Sequence, residues 1–233
     1  MAQGTLFVMT GASGVGKGTL RERLLERVKL YYSISMTTRP PRPGERHGVD
    51  YWFVDEARFK AAIDADELLE YAKYVTHYYG TPKKPVLRHL SRGEDVLLEI
   101  EVEGAKQVRE EARSLRIPVV LIFIVPPSLT ELRRRLLLRS GEGDPKKLEE
   151  IAARLRRAER EIQEAEAIRF DYVVTNDVLE DATRDLERIV RTERLKLYRR
   201  KDALKAALQK DPELEAELDE MERWLIERGR TGN

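Results

Sequence analysis

The heptapeptide pattern Gly11-x-x-x-x-Gly16-Lys17 contains the first residues of this chain whose types and spacing imply chemistry. It is the phosphate-loop pattern except at its last position, where Gly18 stands for the usual Ser or Thr and Thr19 comes next. Phosphate oxygens need several converging donors. A glycine-rich turn lets consecutive backbone N–H groups point inward, and the helix that follows adds its positive end. Lys17 would bridge the outer phosphates and follow charge as it develops. With Gly18 in place, direct metal ligation by a hydroxyl at that position is not expected. A glycine-rich loop with no ligand is the bland alternative, and the strand before it and the helix after it argue against that.

A second block, Ser35 to Glu45, sets Arg39 and Arg42 on a loop stiffened by three prolines and ended by Gly44. Two guanidinium forks held this way suit a phosphate dianion. A solvated loop or a Pro-x-x-Pro ligand for another domain is the competing reading. Arg135 and Arg139 are four apart on an expected helix, so they project from one face, and Arg154 lies on the next helix. A salt-bridged, solvated face is the alternative there, and it is preferred for Arg133 and Arg134. His47, His77 and His89 have no metal-ligand spacing and receive no catalytic role.

The elements that must position these groups follow from apolar patterning. Thr5 to Met9 reads as a buried strand leading into the glycine-rich turn, and Lys17 to Lys29 as a helix. Tyr31 to Met36 is a second candidate strand. Asp95 to Val102 and Val119 to Val125 look like strands buried on both faces, with helix between them over Gly104 to Leu115, and Tyr172 to Thr175 is the expected last strand. Strands alternating with helices imply a parallel α/β sheet. Two segments fit that sheet poorly. Tyr51 to Arg92 mixes aromatics, short helical stretches and an expected loop over His77 to Pro82, while Ser128 to Ile168 is almost wholly helical. After Arg194 the chain is charged and helical, with a break at Asp211–Pro212. Leu204, Ala207 and Leu208, then Leu214, Leu218, Met221, Trp224 and Leu225, suggest an apolar stripe.

Composition limits the classes. The 233 residues are many for one ordinary domain and few for two large ones, which suggests one core with inserted or appended pieces. Charged residues make up 36%, above the ordinary share of about 25%, yet 43 Lys and Arg against 42 Asp and Glu leave a net charge of only +1. Wholesale attraction to nucleic acid or membrane is therefore not expected. Cysteine is absent, so thiolate nucleophiles, disulfides and cysteine metal sites are excluded. No apolar run approaches the ~20 residues that span a bilayer, and no signal peptide is visible; a soluble cytoplasmic chain is expected.

Taken together and in order, these motifs resemble guanylate kinase. The resemblance rests on Gly11 to Lys17, Ser35 to Gly44, Gly48 to Tyr51, Glu70, Tyr78 to Thr81, Glu99 to Gly104, Pro126 to Ser128, Arg135, Arg139, Arg154 and Asn176–Asp177, and runs from residue 1 to about residue 195. It implies a P-loop α/β core with a GMP-binding insertion and a helical lid. The expected boundaries are core over 1–33, insertion over 34–94, core over 95–125, lid over 126–168, core over 169–198 and a charged helical extension over 199–233.

The activity implied is transfer of the γ-phosphate of ATP to GMP, giving ADP and GDP, with Mg²⁺ bound alongside ATP. Neither nucleic acid nor membrane is an implied partner, and no oligomeric state is assigned. Gly11, Ala12, Ser13, Gly14, Val15, Gly16, Lys17, Gly18 and Thr19 would hold ATP, with Asn176 touching the adenine side or supporting its loop. Arg39, Arg42, Tyr51 and Tyr79 would hold the GMP phosphate, while Ser35, Glu70, Thr81 and Glu99 would read guanine. Lys17, Arg135, Arg139 and Arg154 would carry catalysis. Glu101, through a water, is the metal-facing candidate, with Thr19 or no direct protein ligand as the alternatives.

The chemistry supports the carboxylates. Guanine presents adjacent N1–H and N2–H donors, which one carboxylate can accept together, while adenine would leave that charge unmet. Ser35 and Thr81 can donate to O6. The bland readings are a surface-helix Glu70, a core Tyr51 and a Thr81–Pro82 helix cap. The family usually has Asp where Glu99 and Glu101 stand, and often Pro at Ala12. A protein-binding module of the same fold would lack Lys17 and the lid arginines, which this chain retains. A related P-loop kinase with another acceptor is countered by Glu70 and the Tyr78 to Thr81 run.

Overall fold

The computed structural model describes residues 3–74, 76–140, 145–196, 199–209 and 212–230, with side chains omitted at 139–140, 145–146 and 224–230. Five strands make one parallel sheet in the order β2 (Tyr31–Tyr32), β7 (Val96–Glu99), β1 (Leu6–Gly11), β8 (Val119–Val125) and β9 (Tyr172–Thr175). Its central strands β7, β1 and β8 are apolar up to Thr10, Gly11 and Glu99 at their ends, because both faces are covered. Phe7 and Met9 of β1 join one core with Leu20 and Leu24 of α1 (Lys17–Arg27) and Leu186 of α7 (Leu179–Glu193). Their neighbours Leu6 and Val8 point the other way, into a core with Val86 and Leu90 of α3 (Lys83–Ser91) and Val108 of α4 (Val102–Ser114). This period-two division of a continuous apolar run is what a sheet buried on both sides requires.

A second, four-stranded sheet is built from the aromatic segment, in the order β4 (Trp52–Phe53), β3 (Met36–Thr37), β6 (His77–Pro82) and β5 (Leu68–Tyr74). Its own small core gathers Met36, Phe59, Ala62 and Leu68 beneath α2 (Glu56–Asp64), whose first turn is capped by Asp55 Oδ1 accepting from Arg58 N at 2.7 Å.

Three expectations change here. His77 to Pro82, expected as a loop, is strand β6, paired with β3 on one side and β5 on the other. Its Gly80 is a close-approach glycine rather than a turn: a Cβ there would lie 2.9 Å from Glu70 O and 3.1 Å from Phe59 Cζ. Tyr31 to Met36 is not one strand, because Tyr31–Tyr32 pairs in the main sheet and Met36–Thr37 in the second. The strand expected over Asp95 to Val102 ends at Glu99, and Val102 already opens α4.

The helical segment after β8 consists of α5 (Leu129–Ser140) and α6 (Pro145–Ile168). Leu132, Leu136, Ile151 and Ala158 seat them on the α1 side of the core. Residues 194–233 form a separate unit containing α8 (Lys201–Ala207) and α9 (Pro212–Arg230). Leu204, Leu208, Leu214, Leu218 and Met221 of the expected stripe are exposed, and the side chains of Trp224 and Leu225 lie outside the described residues. No described helix is long and apolar enough to cross a membrane.

Candidate active site

β1 ends at Gly11 and α1 begins at Lys17, so the phosphate loop is the five-residue turn between the central strand and the first helix. Gly16 holds φ at 99°, a left-handed backbone that β-carbons disfavour, and a Cβ there would meet Asn176 Nδ2 at 2.8 Å. Asn176 is buried and donates through Nδ2 to Val15 O at 2.7 Å, bracing the turn from behind. Lys17 Nζ donates to Gly11 O at 2.7 Å, which folds it over its own loop. Nothing lies within 4 Å of a Cβ at Gly18, so a hydroxyl-bearing residue would fit there sterically. Thr19 is exposed.

Beside Lys17 opens a cleft of about 590 Å³. Lys17, Ser35, Tyr51, Glu70, Tyr79, Glu99 and Glu101 all line it, so residues spread over more than eighty positions converge there, whereas Arg39 and Thr81 are not among its lining residues. The second sheet supplies the far wall. Glu70 on β5 and Thr81 on β6 are cross-strand partners, and Thr81 Oγ1 donates to Glu70 Oε1 at 2.7 Å. Both are buried. Thr81 is therefore engaged with the carboxylate and is not a helix cap; the cap position of α3 is Pro82, with no side-chain hydrogen bond. Burial pushes the Glu70 carboxyl up to about 7, against the lowering effect of the Thr81 hydrogen bond. Its Oε2 sits where only a glycine leaves room, since a Cβ on Gly104 of α4 would lie 2.6 Å away.

Tyr51 packs edge-on to Tyr79 with centroids 6.2 Å apart, and burial pushes its hydroxyl up to about 12. Arg39 lies 5.4 Å from the Tyr51 ring centroid and is gripped by both oxygens of Glu45, at 2.8 and 2.9 Å. Glu45 also accepts from the Arg42 backbone N–H at 2.7 Å, so it shapes the proline-rich loop. The Arg42 side chain is exposed and does not line the cleft.

Glu99 accepts from Arg21 Nη1 at 3.0 Å, and Arg21 also donates to the Tyr32 hydroxyl at 3.1 Å. Burial raises the Glu99 carboxyl while Arg21 and Lys17 pull it down. Arg21 was missing from the sequence reading, although it stands four residues after Lys17 on α1, on the same helix face. The other omission is on α6. Arg157, Arg160, Glu161 and Glu164 line the cleft at helical spacing.

The lid arginines divide. Arg135 donates to Asn176 O at 2.7 Å, to Asp177 O at 3.1 Å and to Glu131 at 2.7 Å, holding α5 to the turn after β9. Arg154 is exposed and does not line the cleft, and the Arg139 side chain lies outside the described residues.

Among the described residues no cluster of three His, Cys, Asp or Glu could cage a metal ion. The cleft nevertheless offers hard oxygen donors at Glu99 and Glu101, the latter bonded by Arg157 Nη2 at 2.9 Å. That set suits an ion that keeps its waters and takes most of its ligands from phosphate.

The guanylate kinase family model matches residues 3–193. The chain is 58% identical over 219 residues to a guanylate kinase of Thermus thermophilus, covering 94% of this chain and 95% of that one. A guanylate kinase of Deinococcus radiodurans is 50% identical over 192 residues, covering 82% of this chain and 77% of its own. Among solved structures, a guanylate kinase from Anaplasma phagocytophilum superposes with a TM-score of 0.67 at 34% identity, over 85% of this chain and 90% of that one.

Proposed function

The chain belongs to the guanylate kinase family, and we propose from this membership and from the cleft that it phosphorylates GMP with ATP, releasing GDP and ADP. It is a nucleoside monophosphate kinase of the cytoplasm. The observation that carries the choice of acceptor is buried Glu70, bonded by buried Thr81 and lining the same cleft as Lys17. Ionised Glu70 accepts guanine N1–H and N2–H together. AMP would set its N1 lone pair against that buried charge, a mismatch that leaves a polar group unsatisfied. Ser35 donates to O6, and Glu99 completes the base pocket with Arg21 holding its carboxylate. Thr81 acts through Glu70, fixing the carboxylate.

Residues 34–94 carry GMP, its phosphate meeting Arg39, Tyr51 and Tyr79, with Arg42 at the rim. The turn from Gly11 to Thr19 carries ATP, and Asn176 supports that turn from behind. Phosphoryl transfer needs alignment, exclusion of water and positive charge, with little covalent help. Lys17 supplies charge at the transferring group. Residues 126–168 form the lid, and Arg154 and Arg139 join the phosphates when it closes over both nucleotides. Arg135 holds the base of the lid against the turn at Asn176.

Mg²⁺ fits this cleft as a companion of ATP. Glu101 would hold it through water, since a half-exposed carboxylate with a neighbouring guanidinium suits an outer contact. Thr19 is the less suited candidate because it does not line the cleft. Bound there, Mg²⁺ supplies neutralisation of phosphate oxygens.

A coupled ADP-release assay with GMP, AMP, UMP and CMP tests the assignment. GMP is expected to be used at least 100-fold more efficiently than AMP, in line with sites that read a donor edge. Comparable turnover of AMP would overturn the guanine assignment.

A further inference from the structure

One side chain of α6 touches two separately built parts of the molecule as well as its own helix. Arg157 Nη2 donates to Glu101 Oε2 at 2.9 Å, at the start of α4. Its Nε donates to Glu161 Oε1 at 2.6 Å, one turn along α6. Its guanidinium carbon lies 4.3 Å over the ring of Tyr74, the last residue of β5. The other oxygen of Glu161, Oε2, accepts from the backbone N–H of Ser13 in the phosphate loop at 3.0 Å. An unbroken set of contacts therefore runs from the phosphate loop, through Glu161 and Arg157, to the end of the second sheet.

The set is partly withdrawn from water. The Glu161 side chain is 9% exposed and that of Arg157 is 23% exposed, so their interaction is screened less than that of the many surface pairs. Only a planar fork serves two carboxylates while lying flat on an aromatic ring; a lysine ammonium could not. The two ends are the parts that receive different nucleotides in the reading above. On the two-nucleotide reading, a phosphate held by the neighbouring N–H groups of the loop would order Ser13, whose own N–H holds Glu161. A nucleotide against β5 orders Tyr74, on which Arg157 rests. Each ligand thus fixes one end of a shared arrangement, and the second finds it already formed.

We propose that Arg157 and Glu161 couple the two nucleotide sites, so that ATP and GMP each bind more tightly when the other is present. This inference rests on the two-nucleotide reading of the cleft. Arg157 is a positioning residue in it, and Tyr74 is its contact on the second sheet.

Calorimetric titration of GMP into the full chain, with and without a saturating non-hydrolysable ATP analogue, tests this. In the wild-type chain the analogue should tighten GMP by about fivefold or more, and GMP should tighten the analogue by the same factor. In Arg157→Gln and in Tyr74→Ala that factor should fall to within about twofold of unity, while affinity for either nucleotide alone shifts by less than about threefold. Tyr74 is 49% exposed, so its truncation keeps the test available should Arg157→Gln fold poorly. A wild-type factor of unity, or undiminished coupling in either folded variant, overturns the proposal. A wild-type chain that binds no GMP would instead overturn the two-nucleotide reading, a result distinct from GMP binding without coupling.

Discussion

From Gly11 to Thr19 the phosphate loop offers backbone N–H groups and one lysine, all within nine consecutive residues. The second sheet and the segments leading into its strands offer side chains instead: Ser35, Tyr51, Glu70 and Tyr79 line the cleft, and buried Thr81 is bonded to Glu70. A phosphate group is compact and its free oxygens all accept, so a converging set of N–H donors can satisfy it and a local turn suffices. A purine edge is a pattern of donors and acceptors. It must be met by atoms whose positions are set by cross-strand pairing, as Glu70 is by Thr81. The first region should therefore fail through loss of charge, and the second through small displacements.

The largest expected effect is Lys17→Ala. Truncation should lower kcat by more than about 100-fold, or about 2.7 kcal/mol of barrier, with an unchanged far-UV spectrum. Turnover above about a tenth of wild type would remove Lys17 from the transferring phosphate and leave the loop with only its backbone.

Glu70→Gln probes the other region by changing a single atom type. The amide keeps one acceptor but sets a donor against the guanine N–H edge. Loss of about 2–4 kcal/mol in kcat/KM for GMP is expected, with ATP affinity unchanged. Steady-state kinetics varying each nucleotide in turn decides it: equal losses for both nucleotides would place Glu70 outside base recognition.

The same contrast explains what could be read before the structure. β8 begins and ends where its apolar run does, because a strand buried on both faces needs no alternation; β9 keeps its expected bounds as an edge strand, with Val174 buried and Val173 exposed. The phosphate loop was legible from spacing because its ligands are contiguous. β6 was not, since Gly80 and Pro82 are turn residues by type; only its pairing on both sides shows that Gly80 serves close approach. The base pocket could be anticipated only through family resemblance, because no spacing along the chain places Glu70 beside Thr81 and Gly104. Arg157 and Glu161 followed a readable helical period, but on so charged a helix that period did not separate a cleft face from a solvated one.

Gly104→Ala should produce a smaller change confined to the second region. Its Cβ would lie 2.6 Å from Glu70 Oε2 and 3.2 Å from Glu70 Cδ. The carboxylate is the movable end of its side chain, so it swings aside, while alanine is worth up to about 1 kcal/mol more than glycine within a helix. Stability should hardly change, yet KM for GMP should rise by about 5- to 30-fold, the equivalent of about 1–2 kcal/mol. A thermal melt beside GMP kinetics checks both. A large loss of stability with unchanged KM would mean that Gly104 serves packing alone.

The smallest effect is one of pH, and it sets stability against recognition at Glu70. Its folded value of about 7 lies above the ordinary carboxylate range, so the folded chain holds that proton more tightly than the unfolded one. The stabilisation from this group is therefore complete below about pH 4.5, declines as pH rises toward 7 and is gone above it, a span of about 3 kcal/mol. GMP binding moves oppositely, because only the ionised carboxylate accepts both guanine N–H groups. With a value near 7, the ionised fraction falls about fourfold between pH 8 and pH 6.5, and the affinity for GMP should fall with it. The phosphate of GMP titrates in the same range, so the comparison must be made against Glu70→Gln, which shares that titration and lacks the carboxyl. The ratio of wild-type to variant affinity should rise about fourfold as pH increases from about 6.5 to about 8, while the stability of wild type relative to the variant declines. A flat ratio would mean that Glu70 stays ionised in its buried site, and recognition by the second sheet would then be as indifferent to pH as the backbone of the phosphate loop.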